Sequence, residues 1–226
     1  METWPNPRSF APRGWTPWEP GVLAVALVLL VASGVFSWWG TTRETSRFSY
    51  ISFRGLDIGP FMAEEWEIFY FPGSIYRPYR IFSWWDFAAI HPEYAGYGLL
   101  AAAWMSLWLA ALTLATVAFL ARGVPRSRMK GLPTSFQAIA ALALVASSLL
   151  VTLGLPGTVG FPSVSGAEGV FAWGPRLGLF LALSAAALLS ITSTVGIVVD
   201  RALRGRCWKC HRAASGRMCA YCEARL

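Results

Sequence analysis

The 226 residues predict a membrane all-α class, with four transmembrane helices, a small external aromatic β-containing module and a four-cysteine tail. Three observations carry that prediction. The chain is 55% hydrophobic and 14% charged, where a soluble domain averages about 25% charged residues. Four apolar runs without Asp, Glu, Lys, Arg or His approach the ~20 residues needed to cross a ~30 Å hydrocarbon core. All four cysteines fall between positions 207 and 222. This balance excludes an ordinary cytosolic globule, a disordered chain and a disulfide-dense secreted module.

The elements follow in chain order. Residues 1–20 hold five Pro and three Trp, which suits an extended arm lying on a surface. The first span is read over 21–39, and a cleaved signal peptide is set aside because the apolar run continues to Trp38 and Trp39 behind a long leader. The remaining spans are read over 97–121, 134–155 and 177–199. Between the second and third, 122–133 carries Arg122, Arg126, Arg128 and Lys130 without an acid, and the tail over 200–226 carries seven basic residues against Asp200 and Glu223. Positive flanks stay cytoplasmic, which places both of these inside. The 40–96 connection has five Arg against seven acids, and 156–176 has Glu168 and Arg176 alone, so both belong outside. The expected topology is a multi-pass protein of the bacterial inner membrane with both termini cytoplasmic. The net charge of +7 is then a topology signal, and nucleic acid is disfavoured as a partner.

The 40–96 connection is too aromatic for disorder. Three β-prone runs, 47–53, 65–71 and 79–85, are separated by turn signals at Gly55, Gly59-Pro60, Pro72-Gly73 and Pro78, enough for a small three-stranded sheet. Trp38, Trp39, Trp84, Trp85 and Tyr97 read as an interfacial aromatic belt against membrane lipid. Glu64, Glu65, Glu67, Asp86, His91 and Glu93 form the external polar group able to bind a metal or transfer protons. However, Glu65 and Glu67 alternate with Trp66 and Ile68 as a half-buried strand demands, and His91-Pro92 reads as a turn. No catalytic residues are assigned. The 156–176 segment, with its many Gly and Pro, reads as an irregular loop on the membrane surface; its spaced glycines lack the strand and following Lys of a phosphate cradle.

Within the fourth span, Gly178, Ala182, Ala186 and Ser190 recur every four residues and predict a seam where another helix approaches closely, in this chain or in a partner. The spans hold no ionisable side chain, which argues against pumps and proton-coupled carriers. Hydroxyls such as Ser147, Ser148, Thr192 and Ser193 leave a passive carrier or channel as an alternative.

Cys207-Trp-Lys-Cys210 and Cys219-Ala-Tyr-Cys222 are two knuckles whose two-residue spacing directs paired thiolates at one ion. Together they offer a tetrahedral four-sulfur shell for structural Zn(2+), with Arg206, Lys209, Arg212 and Arg217 offsetting its negative charge. Cys207, Cys210 and His211 also spell the attachment string of c-type haem. Haem is disfavoured because the basic tail points inward and Cys219 and Cys222 would have no role. The tail resembles the short zinc ribbon that ends many uncharacterised bacterial multi-pass membrane proteins, over about 20 of the 226 residues, although His211 and Glu223 stand where that module usually has Gly. The resemblance implies a cytoplasmic metal module and no activity.

The expected function is an accessory or scaffold subunit that packs against partner membrane proteins and docks a cytosolic protein through the ribbon. A passive carrier, a membrane enzyme using the external carboxylates, and a nucleic-acid tether are the alternatives weighed.

Overall fold

A computed structural model describes residues 18–47, 50–83, 95–121, 132–154, 163 and 165–203. Among these residues the chain forms four helices and a seven-stranded antiparallel sheet. The membrane all-α class is therefore wrong: the sheet, with seven strands against four helices, is a second structural layer, and the molecule is an α plus β assembly.

Helix α1 spans Glu19–Val35, 17 residues, and starts with Pro at its first turn, where the missing N–H costs nothing. It ends because Phe36 turns extended, at φ −87° and ψ 147°. At 1.5 Å per residue its length is roughly 26 Å. The apolar run read as a first span over 21–39 thus outlasts the helix, and its last residue opens a strand. Helices α2 (Ala95–Leu120), α3 (Leu132–Leu149) and α4 (Leu177–Leu203) have 26, 18 and 27 residues. A π-helical turn, Leu150–Gly154, prolongs α3. Three stretches are long and apolar enough to cross a membrane: Leu99–Leu120, Leu132–Gly154 and Leu177–Val198.

The helices form an antiparallel bundle in which α4 lies between α1 and α3, and α3 also packs on α2. Small side chains make the close approach possible. Ala111 and Ala115 of α2, Ala140 of α3, and Ala182 and Ala185 of α4 are all buried, and in an apolar medium such close van der Waals contact replaces the hydrophobic drive. Large apolar residues point outward instead, among them Val28 of α1, Leu99 and Leu120 of α2, Leu142 of α3 and Phe180 of α4.

The sheet is built from both connections on one end of the bundle. Strands β1 (Trp39–Arg47), β2 (Tyr50–Ile58), β3 (Met62–Phe71), β4 (Ser74–Tyr76) and β5 (Tyr79–Ser83) come from the first, and β6 (Gly166–Glu168) and β7 (Phe171–Pro175) from the second. The order is β4-β3-β2-β1-β7-β6, with β5 also on β3. β4 pairs with the last residues of β3 and β5 with the first, so the two short strands lie end to end along one edge. The segment expected as an irregular membrane-hugging loop therefore supplies two strands, and β7 pairs with β1 from Trp39↔Pro175 to Arg43↔Phe171. Two tight turns fix the registers. Pro72-Gly73 joins β3 to β4 with Gly73 at φ 87°, the positive φ that the third residue of a type II turn requires. Gly169 at φ 59° opens the two-residue turn between β6 and β7.

Candidate functional site

Directly opposed residues in an antiparallel sheet share a face, and the register divides this one into two. Trp39, Ile58, Ala63 and Phe82 lie on the first face, next to the helices. Asp57, Thr42, Trp66 and Gly40 lie on the second.

At two crossings, α1 to β1 and β7 to α4, sheet and bundle meet without a linker. Two residues separate α1's cap from β1, and one separates β7 from α4. Backbone hydrogen bonds stitch the two crossings together: Trp38 N–H donates to the Ile58 carbonyl (2.7 Å), Arg176 N–H to Trp38 (2.8 Å) and Gly178 N–H to Ser37 (2.8 Å). A Cβ on Gly178 would collide with the Phe36 carbonyl oxygen and lie 2.8 Å from that of Ser37, so glycine is needed there. Beneath this seam the Trp38 indole N–H donates to the Ser33 carbonyl (2.6 Å) and the Trp108 indole N–H to Ser33 Oγ (3.0 Å). Trp38 packs edge-on against Trp104 at 5.1 Å, and Phe61 against Trp108 at 5.1 Å.

A polar node locks the second face to α4. Asp57 accepts from Arg176 Nε through Oδ1 (3.0 Å) and from Trp66 Nε1 through Oδ2 (2.7 Å), while Arg176 Nη2 donates to Thr42 Oγ1 (2.9 Å). Gly40 and Gly55 make room for it. A Cβ at Gly40 would overlap Asp57 and Arg176, and one at Gly55 would overlap the Trp66 ring. Nothing local in the sequence connects Asp57 with Arg176, 119 positions away; the one signal is that Arg176 is the lone basic residue of 156–176.

The far end of the first face carries an aromatic ladder. Tyr50, Phe69, Phe71 and Tyr76 have ring centroids 5.6 to 6.1 Å apart, with Phe69 and Phe71 stacked. Phe71 is 41% exposed and Tyr76 62%. On the reverse side Phe53 packs edge-on against Tyr70, and Ile51 and Ile75 are exposed. Strands rise about 3.3 Å per residue, so the nine residues of β1 set this end roughly 30 Å along the strand from the helix junction.

The residues expected to act fall in different places. Glu65 and Glu67 share the first face, opposite Arg80 and Arg54 in register, while Glu64 lies on the second face beside Asp57. The three carboxylates are therefore divided by the pleat, and no group of three or more metal-binding side chains comes together among the described residues. Asp86, His91, Glu93, Trp84, Trp85 and all four cysteines, Cys207, Cys210, Cys219 and Cys222, lie outside the described residues. Trp38 and Trp39 are wholly buried rather than facing headgroups, because the chain turns from helix to strand at this point and folds both indoles inside. Of the small-residue stripe, Gly178, Ala182 and Ala186 are buried and Ser190 faces outward, donating to the Ala186 carbonyl. A four-residue repeat drifts about 40° per step on a helix with 3.6 residues per turn, and the buried line turns instead through Leu189 and Thr192.

No protein-family model matches the sequence, and no curated protein matches it.

Proposed function

We propose that the chain is an accessory or scaffold subunit of a membrane complex, whose sheet docks a partner's external domain and whose cysteine tail, a structural zinc ribbon, docks a cytosolic protein. The aromatic ladder Tyr50–Phe69–Phe71–Tyr76 carries the reading. Aromatic side chains on rigid strands bring large contact area at low entropic cost, and they are enriched as anchors at interface centres. The linkerless junction supports the same reading, since it fixes where the ladder points relative to the helices.

Leu203, the last residue of α4, stands four positions before Cys207 in the sequence. Zinc held by four thiolates would supply the folding free energy of so short a module. With the basic segments inside, the location is the bacterial cell membrane, with the sheet external and both termini cytoplasmic.

The test is photo-crosslinking from position 76 in membranes, followed by native mass measurement. The expected result is a stoichiometric adduct that disappears when Phe71 is changed to Ser, while the variant still inserts and melts as the parent does. A single homogeneous particle with no adduct from position 76 overturns the proposal.

A further inference from the structure

We propose that the end of the bundle far from the sheet holds an internal water site built on Gln137. Gln137 lies in the second turn of α3 and is 1% exposed, yet neither its Oε1 nor its Nε2 has a hydrogen-bond partner among the described residues. A side-chain amide offers two donors and two acceptors, and leaving both ends unmatched away from water is among the costliest arrangements a buried polar group can take. The ligand must therefore be small, neutral and able both to donate and to accept. Water meets those terms.

The surroundings are polar on this side only. Thr134, one turn before Gln137, is buried, and its carbonyl accepts from Ser193 Oγ of α4 at 3.2 Å. Thr192 is buried next to Ser193 and donates to its own helix at Leu188 and Leu189, so both hydroxyl oxygens keep acceptor capacity. Counting back along α1 from Phe36 and forward along α4 from its partner Gly178 brings the buried carboxyl of Glu19 to the same level. Over the next two turns toward the sheet the layer is dry: Ala140, Ala141 and Leu144 of α3 are buried in one apolar cluster with Leu23 of α1, Ala115 of α2 and Leu189 of α4. Water at Gln137 meets this apolar layer before any further polar group, so the site is blind and not a pore. Ser147, a buried side chain whose hydroxyl also has no partner among the described residues, is a weaker candidate, since a serine hydroxyl can rotate onto its own helix carbonyl.

Gln137 is the only glutamine in the chain and Asn6 the only asparagine, so the side-chain amide region of a 15N spectrum contains two pairs. The experiment is water-edited solid-state NMR on the full chain in lipid vesicles, with Gln137→Met to assign the pair. Polarisation from water should reach the Gln137 amide, and its protons should exchange for deuterium at least about tenfold faster than the Trp108 indole proton held by Ser33. An amide that receives nothing from water overturns the proposal. Vesicles holding the protein should also pass water no faster than empty ones; a permeability raised by the protein and abolished in Gln137→Met overturns the blind geometry.

Discussion

At the scale of single residues, the Asp57 node joins elements that no local signal connects. Its carboxylate accepts from a guanidinium and an indole at once, and hydrogen bonds to a charged group contribute about 1.5–3 kcal/mol each when partly sheltered. The exposure of Arg176 and Asp57, 34% and 22%, brings the ion pair toward the low end of that range. Arg176→Gln is expected to lower unfolding stability in detergent by about 1 kcal/mol, and Asp57→Ala by about 2 because Trp66 also loses its acceptor. A double-mutant cycle with Trp66→Phe, followed by tryptophan fluorescence, should show stronger coupling between 57 and 66, which bond directly, than between 176 and 66, which share only the Asp57 carboxylate. Gly55→Ala is expected to cost more than either, since a new methyl would meet the Thr41 backbone carbonyl oxygen at 2.6 Å as well as the Trp66 ring.

At the scale of elements, the long helices were legible and the sheet was only partly so. Uniform apolar runs announce α2, α3 and α4 to within a few residues, because a span has one dominant requirement. Strands β3 and β5 could be read from their aromatic alternation, but β2 only in part: the expected run 47–53 straddles the β1–β2 reversal, and the expected turn at Gly55 lies inside β2, paired with Thr42 and Trp66. β1 was hidden behind an apolar run that ends in two tryptophans, and β6 and β7 behind glycines. At Gly166 the glycine serves packing, because a Cβ there would strike the Trp173 ring. Gln137 is silent in the sequence because a neutral amide leaves an apolar run free of charge. The seam on α4 gives a graded test. Gly178→Ala should destabilise by about 2 kcal/mol through its collision with a backbone carbonyl, and Ala186→Leu by about 1–3 through overpacking. The outward-facing Ser190→Leu should stay within about 0.5 kcal/mol. Equal losses at all three positions would show that α4 sits in a different rotation.

At the scale of the whole molecule, the proposal makes the cysteine tail and the sheet separable. Metal analysis of the purified chain should find about one zinc per chain, lost in Cys219→Ser, with the melting of the bundle and sheet unchanged. A metal-free parent chain would remove the ribbon from the reading and leave the aromatic ladder untouched. The strand order has a further consequence for biosynthesis. β1 lies in the middle of the sheet, flanked by β2 from its own connection and by β7 from the other. Its second neighbour leaves the ribosome more than a hundred residues later, a delay on the order of ten seconds at ordinary elongation rates. During that interval Trp39–Arg43 presents a bare ladder of amides and carbonyls to whatever extended chain passes by. The fourth helix thus also closes a seam left open behind the first.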